Sequence, residues 1–321
     1  MIYRTDQSFG AYRLTRLLGR GRFSQVYLAE HLKTRQPAAL KIFATHLPAS
    51  DHPRFLGEGR RLTALDHPHM LGLREVGLEE DVPFLVMDYA PQGNLCLERG
   101  SVLPPETVAA YARQIADALA YTHSAGFLHQ NIKPANLFLS YQRHVLLSDW
   151  SLESLQGHLE QQKRDEQPED IAYAAPEQLR GPAQPASDQY ALALVAYEWL
   201  SGAPPFQGTY FALYEQQCYA EPPALRGRVP SLSPAVEAVV LMALAKDPRQ
   251  RFASVLGFAT LLEQAVHAPE TLLPANGKRL ATGPLFGKVS SASSALTPAT
   301  ETPGSRESLL RRLRAFWRRQ D

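Results

Sequence analysis

The amino-terminal part of the chain alternates apolar and polar positions in short runs, a pattern that is typical of β-strands. The runs YRLTRLL, SQVYLAEH and AALKIF fall within residues 10–43 and predict an antiparallel meander. From about Pro53 to Leu65 the apolar residues recur near helical spacing, which predicts a helix. A strand pattern then returns at FLVMDYA. We therefore expect strands, with one helix between them, at the start of the protein.

Helical periodicity dominates farther along the chain. The segment ETVAAYARQIADALAYTHSAG predicts a long amphipathic helix, which we expect to end at Gly126. The segment SDQYALALVAYEWLSG predicts a second, more apolar helix, with Ser187 or Asp188 as its capping residue. Helices and Pro-rich loops continue to about His267. The pattern therefore places the folded domain within residues 1–267.

The composition changes after residue 267. Residues 268–304 are rich in Pro, Gly, Ser, Thr and Ala, which predicts a disordered linker. In residues 305–321 large apolar side chains recur at helical spacing among arginines, which predicts a short basic amphipathic helix. This helix could contact an anionic membrane surface or an acidic partner. Alternatively, the tail folds back on the domain or stays solvated.

Composition and charge narrow the class of protein. An apolar fraction of 45% and a charged fraction of 20% are ordinary for a soluble globular protein. The net charge of +1 gives no reason to expect a nucleic-acid partner. Cys96 and Cys218 are far apart, which fits a reduced compartment, and no signal sequence or long apolar stretch is apparent. We therefore expect a cytoplasmic protein without a membrane span.

Several motifs occur in a fixed order along the chain. They are LGRGRFSQV, AALK, DHPHM, LVMDYAPQGNL, HQNIKPAN, SDWS, AAPEQ and KDPRQRF. In this order they resemble the catalytic domain of the bacterial Ser/Thr type of protein kinase, from about Tyr12 to Ala265. The resemblance implies an α+β, protein kinase-like two-lobed fold. It implies a small antiparallel β lobe with one helix at about 10–87, a hinge at 88–93 and a larger, mainly helical lobe at 94–267.

The resemblance also implies a site for ATP with Mg²⁺. Gly19 and Gly21 would let backbone amides approach the phosphates, and Lys41 would bind phosphate with Glu58 as its ion-pair partner. Taken alone, these glycines could form a plain hairpin turn, and Lys41 could be a surface lysine. The full set of implied nucleotide contacts is Leu18, Gly19, Arg20, Gly21, Ser24, Val26, Ala39, Lys41, Glu58, Met87, Asp88, Ala90 and Phe138.

Two residues match the metal-ligand positions of the family. They are Asn136 in IKPAN and Asp149 in SDWS, and both carry the hard oxygen atoms that Mg²⁺ requires. Read without the resemblance, Asp149 could be a turn residue and Asn136 a loop cap. The resemblance also implies a buried ion pair between Glu177 and Arg251.

The catalytic motif departs from the family pattern. Asn131 stands where the family carries the aspartate of HRD, which orients the substrate hydroxyl and accepts its proton. The asparagine amide has nearly the same shape but is a poor proton acceptor. Gln130 replaces the arginine of the motif, whereas Lys133, which would steady the transferring phosphoryl group, is retained.

The neighbouring segments depart as well. Residues 151–177 contain no threonine, and Asp170 occupies the position where the family usually has one, so Asp170 could pair with Lys133. Trp150 and Ser151 replace the phenylalanine and glycine of DFG, and we expect Trp150 to fill the slot under the helix that bears Glu58. Gly57 and Gly59 flank Glu58, which predicts a mobile helix.

These departures favour a pseudokinase. We expect a protein that binds ATP with Mg²⁺, transfers phosphate poorly and acts as a regulatory or scaffolding module in signalling. The alternative is an active or weakly active Ser/Thr protein kinase in which Asn131 only orients the substrate hydroxyl of a protein. A binding module that has also lost the nucleotide is a third possibility, against which the intact phosphate and metal positions argue.

Overall fold

The computed structural model describes residues 6–152, 154–155, 158–159 and 167–268. The predicted linker, apart from residue 268, and the predicted C-terminal helix at 305–321 lie outside these residues. No helix within the described ranges has both the length and the apolar composition that a bilayer crossing requires.

The small lobe is built on one antiparallel sheet. Its strands, among the described residues, are β1 (Ser8–Phe9), β2 (Tyr12–Arg20), β3 (Ser24–His31), β4 (Pro37–Phe43), β5 (Leu73–Glu79) and β6 (Val82–Met87). They are arranged in the order β1-β2-β3-β4-β6-β5. One helix, α1 (His52–Thr63), follows β4 and contains most of the predicted helical segment. The predicted small antiparallel lobe with one helix is therefore confirmed.

Alternation along the strands gives this sheet two different faces. Leu40 lies between Tyr27 and Val86 on neighbouring strands, and all three side chains are buried in the core of the small lobe. Lys41, one residue later, has Val26 opposite it on β3, and therefore points to the other face. That second face, toward the large lobe, is the one that carries the candidate nucleotide contacts.

Helix α1 packs on β5 through a glycine. A Cβ atom added to Gly59 would lie 2.5 Å from the side chain of Val76, whereas one added to Gly57 would meet nothing within 4 Å. Gly59 is buried in this contact. The two glycines beside Glu58 therefore differ, and Gly59 has a packing role that was not predicted from the sequence.

The large lobe is mainly helical. The helices whose full bounds the structure describes are α2 (Pro105–Ser124), α3 (Pro185–Ser201), α4 (Tyr210–Tyr219), α5 (Leu225–Arg228), α6 (Pro234–Ala243) and α7 (Val255–His267). A short hairpin, β7 (Leu137–Leu139) and β8 (Val145–Leu147), faces the small lobe. Helix α2 ends as predicted before Gly126, which has a φ of +79°.

Helix α3 forms the centre of this lobe and is buried along most of its length. The prediction that Ser187 or Asp188 caps it is wrong, because its N-cap is Gln184 and both predicted residues lie in the first turn. There the Ser187 hydroxyl contacts the backbone N–H of Gln184 and the carboxylate of Glu177. Asp188 is thereby left to serve the candidate active site.

The predicted ion pair between Glu177 and Arg251 is confirmed. Arg251 donates from both terminal nitrogens to the two carboxylate oxygens at 2.7 and 2.8 Å, and its side chain is fully buried. Burial by itself would raise the pKa of Glu177, but the hydrogen bonds and charge of Arg251 outweigh it and hold this pKa below its usual range. The pair ties the segment before α3 to the turn before α7.

Candidate active site

The upper wall of the candidate site is a row of residues across the sheet. Gly19 lies opposite Val26, Val26 opposite Lys41, and Lys41 opposite Leu85 on four neighbouring strands. Because directly opposed residues share a face, this register places Lys41 beneath the glycine-containing turn. The turn itself is closed by a hydrogen bond from the Gly21 N–H to the Ser24 carbonyl at 2.8 Å.

Several of the predicted nucleotide contacts come together in one apolar cluster. Ala39 and Met87 are buried there, and Val26 and Ala90 pack against them. Phe138 lies on β7 opposite Leu146, which also packs on this cluster. This apolar cluster is the kind of surface on which a planar base packs.

The remaining predicted nucleotide contacts lie at the rim. Leu18 and Arg20 are exposed on β2, and Ser24 begins β3. The side chain of Asp88 is engaged by Arg74, whose Nε donates to Asp88 Oδ1 at 2.6 Å. Any contact of Asp88 with a nucleotide is therefore expected from its backbone rather than from its carboxylate.

Lys41 does not pair with Glu58, and that expectation is wrong for this structure. Lys41 Nζ forms an ion pair with Oδ1 of Asp149. Oε2 of Glu58 instead accepts hydrogen bonds from the backbone N–H and the hydroxyl of Ser154, at 3.0 and 2.6 Å. Lys41 and Glu58 therefore each have a partner other than the one expected. As a result, α1 is connected to the segment after Asp149 rather than to β4.

The charge of Asp149 is set by its surroundings. Burial favours its neutral form, but the positive charges of Lys41 and Lys133 outweigh burial and lower its pKa. Its backbone is left-handed, with a φ of +69°, a conformation that non-glycine residues seldom adopt. Asp149 is therefore held ionised in a constrained position.

Asn131 is the second partner of Asp149. Its Nδ2 donates to Asp149 Oδ2 at 3.2 Å, and its backbone carbonyl accepts from Nδ2 of Asn136 at 2.7 Å. Since the amide nitrogen of Asn136 is engaged in this way, its amide oxygen is available as a ligand.

The donor set suits Mg²⁺. Within the described residues no group of three or more His, Cys, Asp or Glu side chains could hold a metal ion by itself. Mg²⁺ commonly uses only one or two protein oxygens together with water and substrate phosphates. Asp149 and Asn136 provide that number, so the residues present fit a Mg²⁺ ion that arrives with a nucleotide.

The loop that carries Asn131 is shaped from below by Asp188. This carboxylate, only 1% exposed, accepts from the backbone N–H groups of His129 and Gln130 at 2.9 and 2.8 Å. It also contacts Nε2 of His123 at 2.8 Å. Gln130 has a left-handed φ of +62°, which these bonds stabilise. A carboxylate in the first turn of an otherwise apolar helix was the sequence signal for this role.

His129 and Trp150 fill the space behind the loop. The buried imidazole contacts the Ser148 carbonyl through Nε2 at 2.9 Å and accepts the N–H of Asn131 at Nδ1, which requires the neutral tautomer with hydrogen on Nε2. Burial lowers its pKa. Trp150 lies 4.4 Å from its ring and, with Leu62 of α1, lines a cavity of only about 10 Å³. Trp150 thus occupies the slot that was predicted for it.

Asp170 does not pair with Lys133, and this expectation is also wrong. Asp170 pairs with Arg22, in the turn between β2 and β3, and accepts the backbone N–H of Gln167 at 3.3 Å. Three residues later, the Tyr173 hydroxyl donates to Glu198 of α3 at 2.5 Å. The roles of Arg22 and Glu198 were not predicted. Arg22 lies within the motif LGRGRFSQV but was not assigned a contact, and Glu198 was not singled out.

Comparisons with known proteins agree with this geometry. A family model described as a protein kinase domain matches residues 12–268. The serine/threonine-protein kinases PknJ of Mycobacterium tuberculosis and Pkn1 of Myxococcus xanthus are each 32% identical, over 82% and 80% of this chain. PrkC of Bacillus subtilis is 30% identical over 76% of it. The chain spans only 46%, 38% and 38% of the lengths of these relatives.

Solved structures agree as well. The crystal structure of a cysteine-to-alanine mutant of the Mycobacterium tuberculosis PknI kinase domain superposes with a TM-score of 0.66 at 30% identity. The match covers 82% of this chain and 99% of that one. The two-lobed architecture expected from the sequence is therefore confirmed.

Proposed function

Since this chain belongs to the protein kinase family, we propose that it is a Ser/Thr protein kinase that transfers the γ-phosphate of ATP to protein hydroxyls. The names of its relatives support this proposal over a catalytically dead protein. Because the chain matches less than half of each of those relatives, the proposal concerns the domain. We also propose that its substrate is a protein and that it acts in the cytoplasm.

The observation that carries the proposal is the arrangement of Lys41, Asp149 and Asn136. Lys41 approaches from the sheet, and Asp149 and Asn136 supply oxygen ligands from the large lobe. On nucleotide binding, Lys41 would exchange the carboxylate of Asp149 for phosphate oxygens. Mg²⁺, when bound, supplies positive charge for the transferring group, and most of this catalysis is positioning and electrostatics.

Asn131 limits the rate in this proposal. Its amide holds a substrate hydroxyl in place but does not accept the proton, and loss of a general base typically costs about a hundred- to ten-thousand-fold in rate. Catalysis of phosphoryl transfer is mainly positioning and electrostatic stabilisation, so orientation of the hydroxyl alone still accelerates the reaction. Lys133, next to the site, adds a positive charge.

A second candidate is a regulatory pseudokinase that binds ATP with Mg²⁺ without transferring phosphate. Two features favour this candidate. The amide of Asn131 has no oxygen basic enough to accept the proton, and Glu58 is hydrogen-bonded to Ser154 instead of pairing with Lys41. In that case the protein would act on a partner by changing shape when nucleotide binds.

One experiment separates the two candidates. Magnesium-dependent ATP binding is measured by calorimetry, beside radiolabelled phosphate transfer to a general protein substrate and to the chain itself. Asp149→Ala removes the metal ligand, and Asp81→Ala, in an exposed loop, is the matched control. Transfer that Asp149→Ala abolishes and Asp81→Ala keeps would support the kinase. Binding without transfer would favour the pseudokinase, and no binding would exclude both.

A further inference from the structure

An ion pair crosses the mouth of the candidate nucleotide site. Arg22 lies at the tip of the turn between β2 and β3, and Asp170 ends the short turn Pro168–Asp170 of the large lobe. Their side chains are only 26% and 17% exposed. The pair therefore connects the two lobes at the phosphate end of the site, on the side opposite the hinge.

The two partners differ in how close their backbone segments lie to the core. Asp170 accepts the backbone N–H of Gln167, and the next residue, Ile171, is buried in the core of the large lobe. Arg22 lies in the turn after Gly21, where the Gly21 N–H donates to the Ser24 carbonyl and the Phe23 carbonyl accepts the N–H of Ala44, both at 2.8 Å. Its guanidinium lies 5.3 Å from the ring of Phe23. Because Gly21 is exposed whereas Ile171 belongs to the core, we expect the turn that carries Arg22 to move when the pair opens.

We propose that Asp170 holds Arg22 as a latch over the phosphate end of the site, and that the phosphates of ATP open it by competing for the guanidinium of Arg22. The proposal rests on nucleotide binding as part of the proposed function. A guanidinium binds carboxylates and phosphates with the same two-pronged geometry, so a polyphosphate can replace Asp170 directly. The latch would therefore distinguish nucleotides with phosphates from a bare nucleoside.

The latch is tested with four variants: Asp170→Asn, Arg22→Gln, the double variant, and Glu169→Gln. The last removes a carboxylate from the adjacent position and is the matched control. Binding of ATP with Mg²⁺, and of adenosine, is measured by calorimetry on the full chain. We expect Asp170→Asn to tighten ATP binding about two- to five-fold, the range for a partly exposed ion pair. Adenosine binding and the Glu169→Gln control stay unchanged.

The double variant provides the sharpest comparison. If the effect of Asp170 acts through Arg22, Asp170→Asn changes nothing when Arg22→Gln is already present. Equal tightening in that background, equal tightening for adenosine, or no effect of Asp170→Asn at all would overturn the latch.

A second measurement does not depend on nucleotide. Hydrogen exchange of the amides at residues 21–24, without ligand, should be faster in Asp170→Asn and Arg22→Gln than in the wild type and the Glu169→Gln control. Unchanged exchange in both would also overturn the latch. If no protein of the series binds ATP, the proposed function fails, while the exchange rates still decide whether Asp170 restrains the turn.

Discussion

Asn131 donates a hydrogen bond from its side-chain nitrogen to Oδ2 of Asp149, across 3.2 Å. Lys41 occupies the other oxygen of the same carboxylate. An aspartate at position 131, as in the family motif, would bring two negative charges together, and they would repel each other until a cation separated them. With the neutral asparagine, the single negative charge of Asp149 is balanced by Lys41, so the site does not need a metal ion to offset charge repulsion.

The first prediction concerns Asn131→Asp. We expect phosphate transfer to rise about a hundred- to ten-thousand-fold, because the variant restores a proton acceptor. Without Mg²⁺ the same variant should unfold at a lower temperature than the wild type, and added Mg²⁺ should recover more stability in the variant. Radiolabelled transfer and thermal unfolding with and without Mg²⁺ measure the two effects.

Gln36→Glu is the control for this variant, because it adds the same charge on an exposed loop of the small lobe. It should change neither activity nor the response to Mg²⁺. A folded Asn131→Asp protein that transfers phosphate no faster than the wild type would mean that something other than the missing base limits the reaction, and Glu58, held by Ser154, would be the next residue to study.

The second prediction uses the two glycines of α1. Gly57→Ala should increase the free energy of unfolding by about 0.5–1 kcal/mol, because alanine favours the helix and meets no neighbour. Gly59→Ala should decrease it by about 1–3 kcal/mol, because its Cβ would overlap with Val76. Urea unfolding of both variants measures the difference, and equal effects would contradict the tight contact between α1 and β5.

The third prediction concerns the buried pair of Glu177 and Arg251. Arg251→Met should cost about 3–5 kcal/mol of unfolding free energy, because it leaves Glu177 as an uncompensated charge. Arg249→Met, in the same turn, breaks an exposed pair with Asp247 and should cost less than about 1 kcal/mol. Similar losses in the two variants, measured by urea unfolding, would argue against a structural role for the buried pair.

The fourth prediction is a pH dependence that arises from His129. Its pKa is lowered in the folded protein, so below about pH 6.5, the ordinary histidine value, the unfolded chain binds more protons. The stability linked to His129 is complete above that pH and is lost as the pH falls toward the lowered value. His129→Gln should therefore reduce the slope of unfolding free energy against pH between about 7.5 and 5.5 by up to about 1.4 kcal/mol per unit.

The test compares the slopes of unfolding free energy against pH, not the free energies themselves. It therefore remains valid if His129→Gln is less stable than the wild type at every pH. Protonation of His129 at Nδ1 would also remove the acceptor for the N–H of Asn131, so the loop should loosen over the same range. Parallel slopes for wild type and variant would show that His129 does not titrate on unfolding.

The sequence predicted the parts of this protein that depend on periodicity and on motif order. The alternation around Lys41 predicted a strand, and the resemblance implied the pair of Glu177 and Arg251. It did not predict which carboxylate Lys41 would contact. Asp149 and Glu58 are both acidic, and the choice depends on the position of α1 and of residues such as Ser154, which a one-dimensional pattern does not contain.

Contacts between segments distant in sequence account for the other differences. The pair of Arg22 and Asp170 joins residues 148 positions apart, and Asp170 carries nothing in its neighbourhood that indicates a basic partner in the small lobe. Gly59 looked like a source of helix flexibility because helix propensity is a local property. Its actual role depends on Val76, which lies on a different element.

Asp188 also affects how this protein can change during evolution. Because it binds the backbone of His129 and Gln130, the shape of the loop does not depend on the side chains at positions 130 and 131. The loop can therefore keep its shape with other side chains at these positions, within the limit set by the left-handed φ of +62° at Gln130. An asparagine codon becomes an aspartate codon by a single base change, so this chain stands one mutation from the proton acceptor of the family motif, with the supporting scaffold already in place.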